Sequence, residues 1–343
     1  MNSEFMLALD EIEKTKNISK DILLEAIEAA LISAYKKNYN TNHNNVVVNI
    51  DRDNGKVQVY IQKEVVETVE DELCQITLDE AKKYSKVAEI GDTVNIEDTP
   101  AAFGRIAAQT AKQVVIQRIN EAERSLIYDE FIAKENDIVT GVIQRFEKKN
   151  IFLDIGRTEA MLPASEQVPG EKYEFHQRMK VYLSEVRRTT KGPQVTVSRA
   201  KAELVKKLFE LVIPEIQDGT VEIKSIAREA GSRTKMAVWS NNENVDPIGA
   251  CIGNKGLRVQ NIVDELGGEK IDIVKYSPDI AEFIKESLNP AETVSLTINE
   301  EEKQAHIVVP YNQLSLAIGK EGQNARLAAR LTGYKIDIKS DAE

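Results

Sequence analysis

The spacing of apolar positions changes period twice along the chain and divides it into three stretches. In the first, Ile22, Leu23, Ala26, Ile27, Ala30 and Leu31 recur at helical spacing after Ser19, and the pattern fades at residues 36–40. Alternating runs at 46–50 and 56–62 flank Asp53-Asn54-Gly55, a dipeptide-plus-glycine turn that predicts a β-hairpin. Thr99-Pro100 then predicts the start of a long helix reaching about residue 131, with Phe103, Ile106, Ala107, Val114 and Val115 as its core stripe. Helices packed on a small sheet are expected, an α+β domain over residues 1–134.

From residue 137 the period drops to two. Strands are expected at 138–146, 151–155, 180–187 and 194–198, punctuated by Gly156, Pro163, Pro169-Gly170 and Gly192-Pro193. About five short strands in this span predict a small closed barrel of the OB type over residues 135–199, a solution that removes sheet edges.

The third stretch is one domain written twice. In residues 200–277 a helix at 200–216 precedes strands at 220–227 and 234–240. A helix–loop–helix follows, capped by Asp246-Pro247 and stopped by Gly267-Gly268, and a strand closes the unit at 270–276. Residues 278–343 repeat the order, with a helix at 278–288, strands at 293–298 and 306–309, a helix–loop–helix at 312–331 and a strand at 334–339. The Gly-x-x-Gly loops starting at Gly253 and Gly319 lie 66 residues apart, and Lys-Ile-Asp-Ile follows each, at 270–273 and 335–338. The whole reads as a multidomain α+β protein.

These loops carry the candidate chemistry. Glycine at both ends lets a backbone approach a ligand closely, and the helix beyond begins with unpaired N–H groups. That combination suits a phosphate. Ile252, Gly253, Asn254, Lys255, Gly256 and Arg258 form the first candidate site; Ile318, Gly319, Lys320, Glu321, Gly322 and Arg326 form the second. Arg258 and Arg326 are expected to project beside the loops. Ile252, Val259 and Ile262, and their counterparts Ile318, Ala325 and Leu331, are expected to offer an apolar strip on which bases lie. A Walker phosphate loop is excluded, because residues 249–256 never place Gly-Lys-Ser/Thr at the required spacing.

Charge and composition narrow the picture further. The formal net charge is −11, yet residues 1–130 hold 15 Lys+Arg against 24 Asp+Glu while the remainder hold 30 against 32. The acidity therefore lies apart from the candidate phosphate sites, and a few placed cations are expected in place of a broad basic patch. Cys74 and Cys251 are too far apart in sequence to suggest a disulfide framework, and His43, His176 and His306 show no ligand spacing. No metal or cofactor is expected. No apolar run approaches the length of a membrane span and no signal pattern opens the chain, so a soluble cytoplasmic protein is expected. The acidic pairs in residues 70–72 and 79–80 lack His or Lys partners at useful spacing, and no enzyme activity is expected.

Ile-Gly-x-x-Gly followed by an apolar residue at helical spacing, between strands, resembles the KH domain, and the element order resembles its type II arrangement. KH loops clamp four nucleotides of single-stranded nucleic acid. The segment from Gly141 through Phe152, Asp154 and Gly156 to Leu162-Pro163 resembles the S1 RNA-binding domain. It departs from that pattern at Lys148-Lys149, where a second aromatic is usual, so a two-ring platform is not expected. Phe152 reads as either a stacking ring or a core residue. Lys148, Lys149, Arg187, Arg188 and Lys191 read as either phosphate contacts or solvated loop charges. Weak RNA binding is expected of this domain.

The order of acidic α+β domain, S1, KH and KH resembles the NusA family of bacterial transcription elongation and termination factors over the whole chain. Residues 21–31, 91–94, 101–112 and 159–163 support the resemblance beside both loops. It implies that residues 1–134 bind RNA polymerase near the RNA exit channel. It further implies that S1–KH–KH contacts nascent single-stranded RNA to modulate pausing, termination and antitermination, beside other Nus-type elongation factors. A monomer is expected. Some members carry acidic repeats after the second KH domain; the sequence ends at Glu343, and regulation through such repeats is not expected of it. The rival readings are an RNA-degrading component, which would need nuclease carboxylates and metal, and a ribosome-associated KH protein, which would be more basic. The short links at 198–200 and 276–278 predict a semi-rigid array.

Overall fold

The computed structural model describes residues 3–39 and 45–342, so His43 and Asn40 lie outside the described residues. The chain forms two compact units, Met1–Leu126 and Ile127–Glu343. In the first, α1 (Ser3–Lys16), α2 (Lys20–Tyr39) and α4 (Phe103–Ile132) pack on a sheet of β1 (Val46–Ile50), β2 (Val57–Val66), β3 (Gln75–Thr77) and β4 (Thr93–Glu97); the one-turn α3 (Leu78–Ala81) follows β3. Leu23, Leu24, Ile27 and Leu31 of α2 meet Phe103, Ala107 and Ala111 of α4 in one core. The hairpin closes as predicted. Gly55 takes φ 69°, and the Asp51 carboxylate accepts the Asp53 and Asn54 N–H groups at 2.9 and 3.2 Å. Thr99 does not cap α4; its hydroxyl accepts the Val59 N–H at 3.0 Å, and the helix starts at Phe103.

The second unit opens with the last turns of α4, where Phe131 is buried in the barrel core. The barrel is closed in the order β5 (Ile138–Glu147), β6 (Asn150–Asp154), β7 (Glu159–Leu162), β9 (Gly192–Ser198), β8 (Arg178–Thr189). Small apolar side chains such as Ile143, Leu153, Ala160, Val181 and Val197 fill it.

Next, α5 (Ala202–Val212) and α6 (Pro214–Gln217) replace the single helix expected at 200–216. Pro214 forces Ile213 to φ −110°, ψ 108° and breaks the helix there. The first KH sheet joins β10 (Val221–Glu229) antiparallel to β11 (Arg233–Ser240), and β11 parallel to β12 (Lys270–Lys275), with α7 (Pro247–Ile252) and α8 (Leu257–Glu265) between β11 and β12. The second repeats this with α9 (Ile280–Ser287), β13 (Ser295–Asn299), β14 (Gln304–Val309), α10 (Leu314–Ile318), α11 (Gln323–Thr332) and β15 (Lys335–Ser340).

These three domains are packed into one body. Tyr182 of the barrel sits in the first KH core. Arg199, 1% exposed, pairs with Glu171 and donates to the Lys180 and Glu265 carbonyls at 2.9 Å each, stitching the barrel to the end of α8. The outer face of the first KH sheet presents Ala227, Ala237 and Val274, small enough for Phe283, Leu327 and Leu331 of the second KH domain to pack on them.

Candidate nucleic-acid interface

Asp246 caps α7 by accepting the Ile248 and Gly249 N–H groups at 3.2 and 3.0 Å. The helix ends at Gly253 (φ 72°, ψ −178°), passes Lys255 (φ 53°, ψ 26°), and α8 starts after Gly256 (φ 76°). The second loop reproduces these torsions, with Gly319 at φ 75°, ψ 171°, Glu321 at φ 53°, ψ 26° and Gly322 at φ 75°. Glycine is required at the first position twice over. Its φ is positive, and a Cβ at Gly253 would lie 2.7 Å from Arg258 Cγ, while one at Gly319 would lie 2.8 Å from Asn324 Cβ.

Asn254, Lys255, Lys320 and Glu321 are all exposed at the loop tips. The two arginines are not free. Arg258 folds back, its Nη1 donating to Glu215 Oε2 at 3.0 Å and to the Ala250 carbonyl at 2.7 Å. Arg326 Nε donates to Glu229 Oε1 of the first KH domain at 3.1 Å. Their charge is spent on holding α8 to α6 and one KH domain to the other, so the loop lysines are the projecting cations.

The expected apolar strip is also revised. Ile262 and Leu331 are buried, and Val259 and Ala325 are half-buried, because the stripe that makes α8 and α11 amphipathic is the stripe that packs the core. The exposed apolar groups beside the loops are Ile252 and Leu257 in the first copy and Leu316 in the second; Ile318 is half-buried. The second loop faces a cleft of about 420 Å³ whose walls come from both KH domains: Gly319, Lys320 and Gln323 on one side, Ser232, Arg233 and Lys270 on the other.

On the barrel, Phe152 is half-buried and outside the core, with the Arg145 guanidinium 3.6 Å from its ring centroid. Glu147 and Glu159 hold that guanidinium at 2.6 and 3.1 Å. Lys148, Lys149 and Lys191 are exposed. Arg187 pairs with Glu185 at 2.5 Å, and Arg188 reaches Asp129 at 3.4 Å while lying over the Tyr128 ring. Both pairs are well exposed and hold their arginines only weakly. A further aromatic pair, Phe146 and Phe175, is exposed on the barrel, and no local sequence signal marks it. Among the described residues no group of His, Cys, Asp or Glu is placed to hold a metal, and no helix is long and apolar enough to cross a membrane.

A closed S1-type barrel fused to two type II KH domains with intact loops defines a multidomain RNA-binding protein. Comparison with known families agrees domain by domain: the NusA N-terminal domain matches residues 4–125, the S1 RNA binding domain 132–198, the NusA-like first KH domain 199–276 and the NusA-like second KH domain 280–343. The chain is 57% identical over 343 residues to the transcription termination/antitermination protein NusA of Halalkalibacterium halodurans, covering 100% of this chain and 90% of that one. It is 55% identical to the Bacillus subtilis protein of the same name, covering 100% and 92%. The solution structure of the N-terminal domain of NusA from B. subtilis is 53% identical and covers 36% of this chain and 99% of that chain, with a TM-score of 0.33. The chain belongs to the NusA family and is an RNA-binding transcription termination/antitermination factor.

Proposed function

We propose that residues 1–134 dock on RNA polymerase and that the S1 domain (135–199) and the two KH domains (200–277 and 278–343) hold the emerging single-stranded RNA, modulating pausing, termination and antitermination without catalysis. The observation that carries this reading is the pair of Gly-x-x-Gly loops with matching torsions on one packed body. Gly253, Asn254, Lys255 and Gly256, with Gly319, Lys320 and Gly322, are its phosphate-facing residues. Ile252, Leu257, Leu316 and Ile318 supply apolar contact for bases. Arg258 and Arg326 act mainly by shaping these surfaces, since each is held by a carboxylate, and Phe152 has its face covered by Arg145; Arg187 and Arg188, only weakly paired, remain available to phosphate.

Each loop offers few cations, so each binds weakly. Tethering to polymerase raises the local RNA concentration into the range where weak sites fill. The protein works as a cytoplasmic monomer beside other Nus-type factors. The test replaces Asn254, Lys255, Lys320 and Glu321 together by Asp in the full chain. RNA affinity, read by fluorescence anisotropy, should fall to background, while capture by core RNA polymerase is kept. Unchanged RNA affinity would sink the assignment of the loops; lost capture would sink the division of labour.

A further inference from the structure

Phe146 and Phe175 stand on the barrel surface with ring centroids 4.8 Å apart and planes at 76°, and they are 41% and 61% exposed. Neither contributes to the barrel core. Two backbone irregularities deliver them there. The β5–β6 register shifts between Ile143 and Arg145. Opposite this shift, His176 takes φ 61° between two hydrogen bonds, its own N–H to the Ile143 carbonyl at 2.9 Å and the Ile143 N–H to the Gln177 carbonyl at 3.0 Å. His176 lies in the turn that leads into β8, closed by the Gln177 N–H donating to the Glu174 carbonyl at 3.2 Å, and a non-glycine residue held at positive φ there re-aims its neighbour Phe175.

The adjoining two-residue hairpin, between the paired Glu147 and Asn150, carries Lys148 at φ 56° and Lys149. Both are exposed, and neither side chain has an ion-pair or hydrogen-bond partner among the described residues. Gln167 donates to the Lys149 carbonyl at 2.7 Å and to the Leu162 carbonyl at 3.1 Å, tying the hairpin to the loop that follows β7. Rings in contact with solvent beside unpaired ammonium groups complement a nucleic-acid strand, whose bases offer π faces and whose phosphates need cations. Phe152 is less available for that purpose, because Arg145 already covers its face.

We infer that Phe146 and Phe175 form a base-stacking site for single-stranded RNA, with Lys148 and Lys149 as its phosphate contacts. This rests on the reading that the S1–KH–KH body binds RNA. The test uses the full chain and a mixed-sequence 20-nucleotide single-stranded RNA carrying 5-iodouridine. Phe175→Ala should weaken binding about tenfold, the loss of roughly one stacked base, while Phe175→Tyr retains affinity. Lys148→Ala with Lys149→Ala should flatten the log–log salt slope by about 1.4, and the Phe175 variant should leave it unchanged. Photocrosslinks should map to Phe146 or Phe175. If Phe146→Ala perturbs folding, Phe175→Ala, at the more exposed ring, carries the test after its melting curve is matched to wild type. Unchanged affinity with crosslinks confined to the Gly-x-x-Gly loops would overturn the stacking site and leave the loop assignment standing. Loss of polymerase capture with RNA binding intact would reassign the rings to a protein and equally overturn it. Failure of the wild-type chain to bind RNA would remove both readings.

Discussion

Lys255 and Glu321 occupy the same backbone conformation, φ 53° and ψ 26°, at the third position of the two Gly-x-x-Gly loops, yet carry opposite charges. The cation of the second loop, Lys320, sits one position earlier, where the first loop has Asn254. On the proposed reading, this position adds a phosphate partner in the first loop and a repulsion in the second. Lys255→Glu should weaken RNA binding, and Glu321→Lys should strengthen it, each by about three- to tenfold at low salt. Gaining one phosphate contact should steepen the log–log salt dependence by about 0.7, and losing one should flatten it equally. Anisotropy titrations at two or three salt concentrations distinguish this from loops that contribute only backbone N–H groups, for which both variants would leave the slope alone.

Glu229 joins the two KH domains by accepting from Arg326 at 3.1 Å and from Gln323 at 2.8 Å. These hydrogen bonds, that of Arg326 first, hold its carboxyl below the usual glutamate range. A carboxylate whose folded pKa is depressed contributes stability above its unfolded pKa and loses it as pH falls through the folded one. Glu229→Gln should therefore cost about 1 kcal/mol at neutral pH, a figure suited to a partly exposed ion pair. The difference from wild type should shrink as pH drops below the ordinary glutamate pKa. Urea unfolding at pH 7 and at successively lower pH measures it. A difference constant with pH would show that the pair is not coupled to domain packing.

What could be read in the sequence follows from where the physical constraint is local. The Asp53-Asn54-Gly55 turn, the Asp246 cap and both Gly-x-x-Gly loops need only their own residues, and each formed. The break at Pro214 is equally local, although the helix was expected to run through it. Helix α1 and the short strands β3 and β4 are short or weakly patterned in sequence; α1 is held by packing against α2, and β3 and β4 by pairing with β2. The roles of Arg258 and Arg326 were illegible for a different reason. Their carboxylate partners lie 43 and 97 residues away in sequence, and nothing local distinguishes a projecting arginine from a clamped one. The Phe146–Phe175 contact has the same character, since a kink at His176 aims the second ring.

Cys251 lies fully buried in the first KH core, on the helix that enters the loop. Burial, and then the negative charge of Glu215, push its thiol up to about 12. Since the thiolate is the reactive form, only about one molecule in ten thousand would be reactive at pH 8 even with access. A thiol-specific chromogenic reagent should therefore leave Cys251 unmodified in the native protein and modify it on unfolding, as peptide mass mapping would locate. Prompt native-state modification at Cys251 would mean that the loop-bearing helix opens readily.

Gly231 tests whether the barrel and the first KH domain move as one. It takes φ 75°, donates its N–H to the buried Glu269 carboxylate at 2.8 Å, and faces the barrel so closely that a Cβ would lie 2.6 Å from Val168 Cγ1 and 2.9 Å from the Pro169 carbonyl oxygen. Gly333 has a nearly identical φ of 74° but nothing within 4 Å of its Cβ position. Alanine at Gly333 carries only the left-handed penalty, about 1 kcal/mol. Alanine at Gly231 carries that and the overlap with a carbonyl that cannot rotate away, for about 2–3 kcal/mol in all. The melting transition of the S1–KH–KH unit should then fall by roughly 5–10 °C for Gly231→Ala and by roughly 2–4 °C for Gly333→Ala. Equal shifts would show that the barrel yields at this contact without cost, and the array would have to be treated as hinged at residues 198–200.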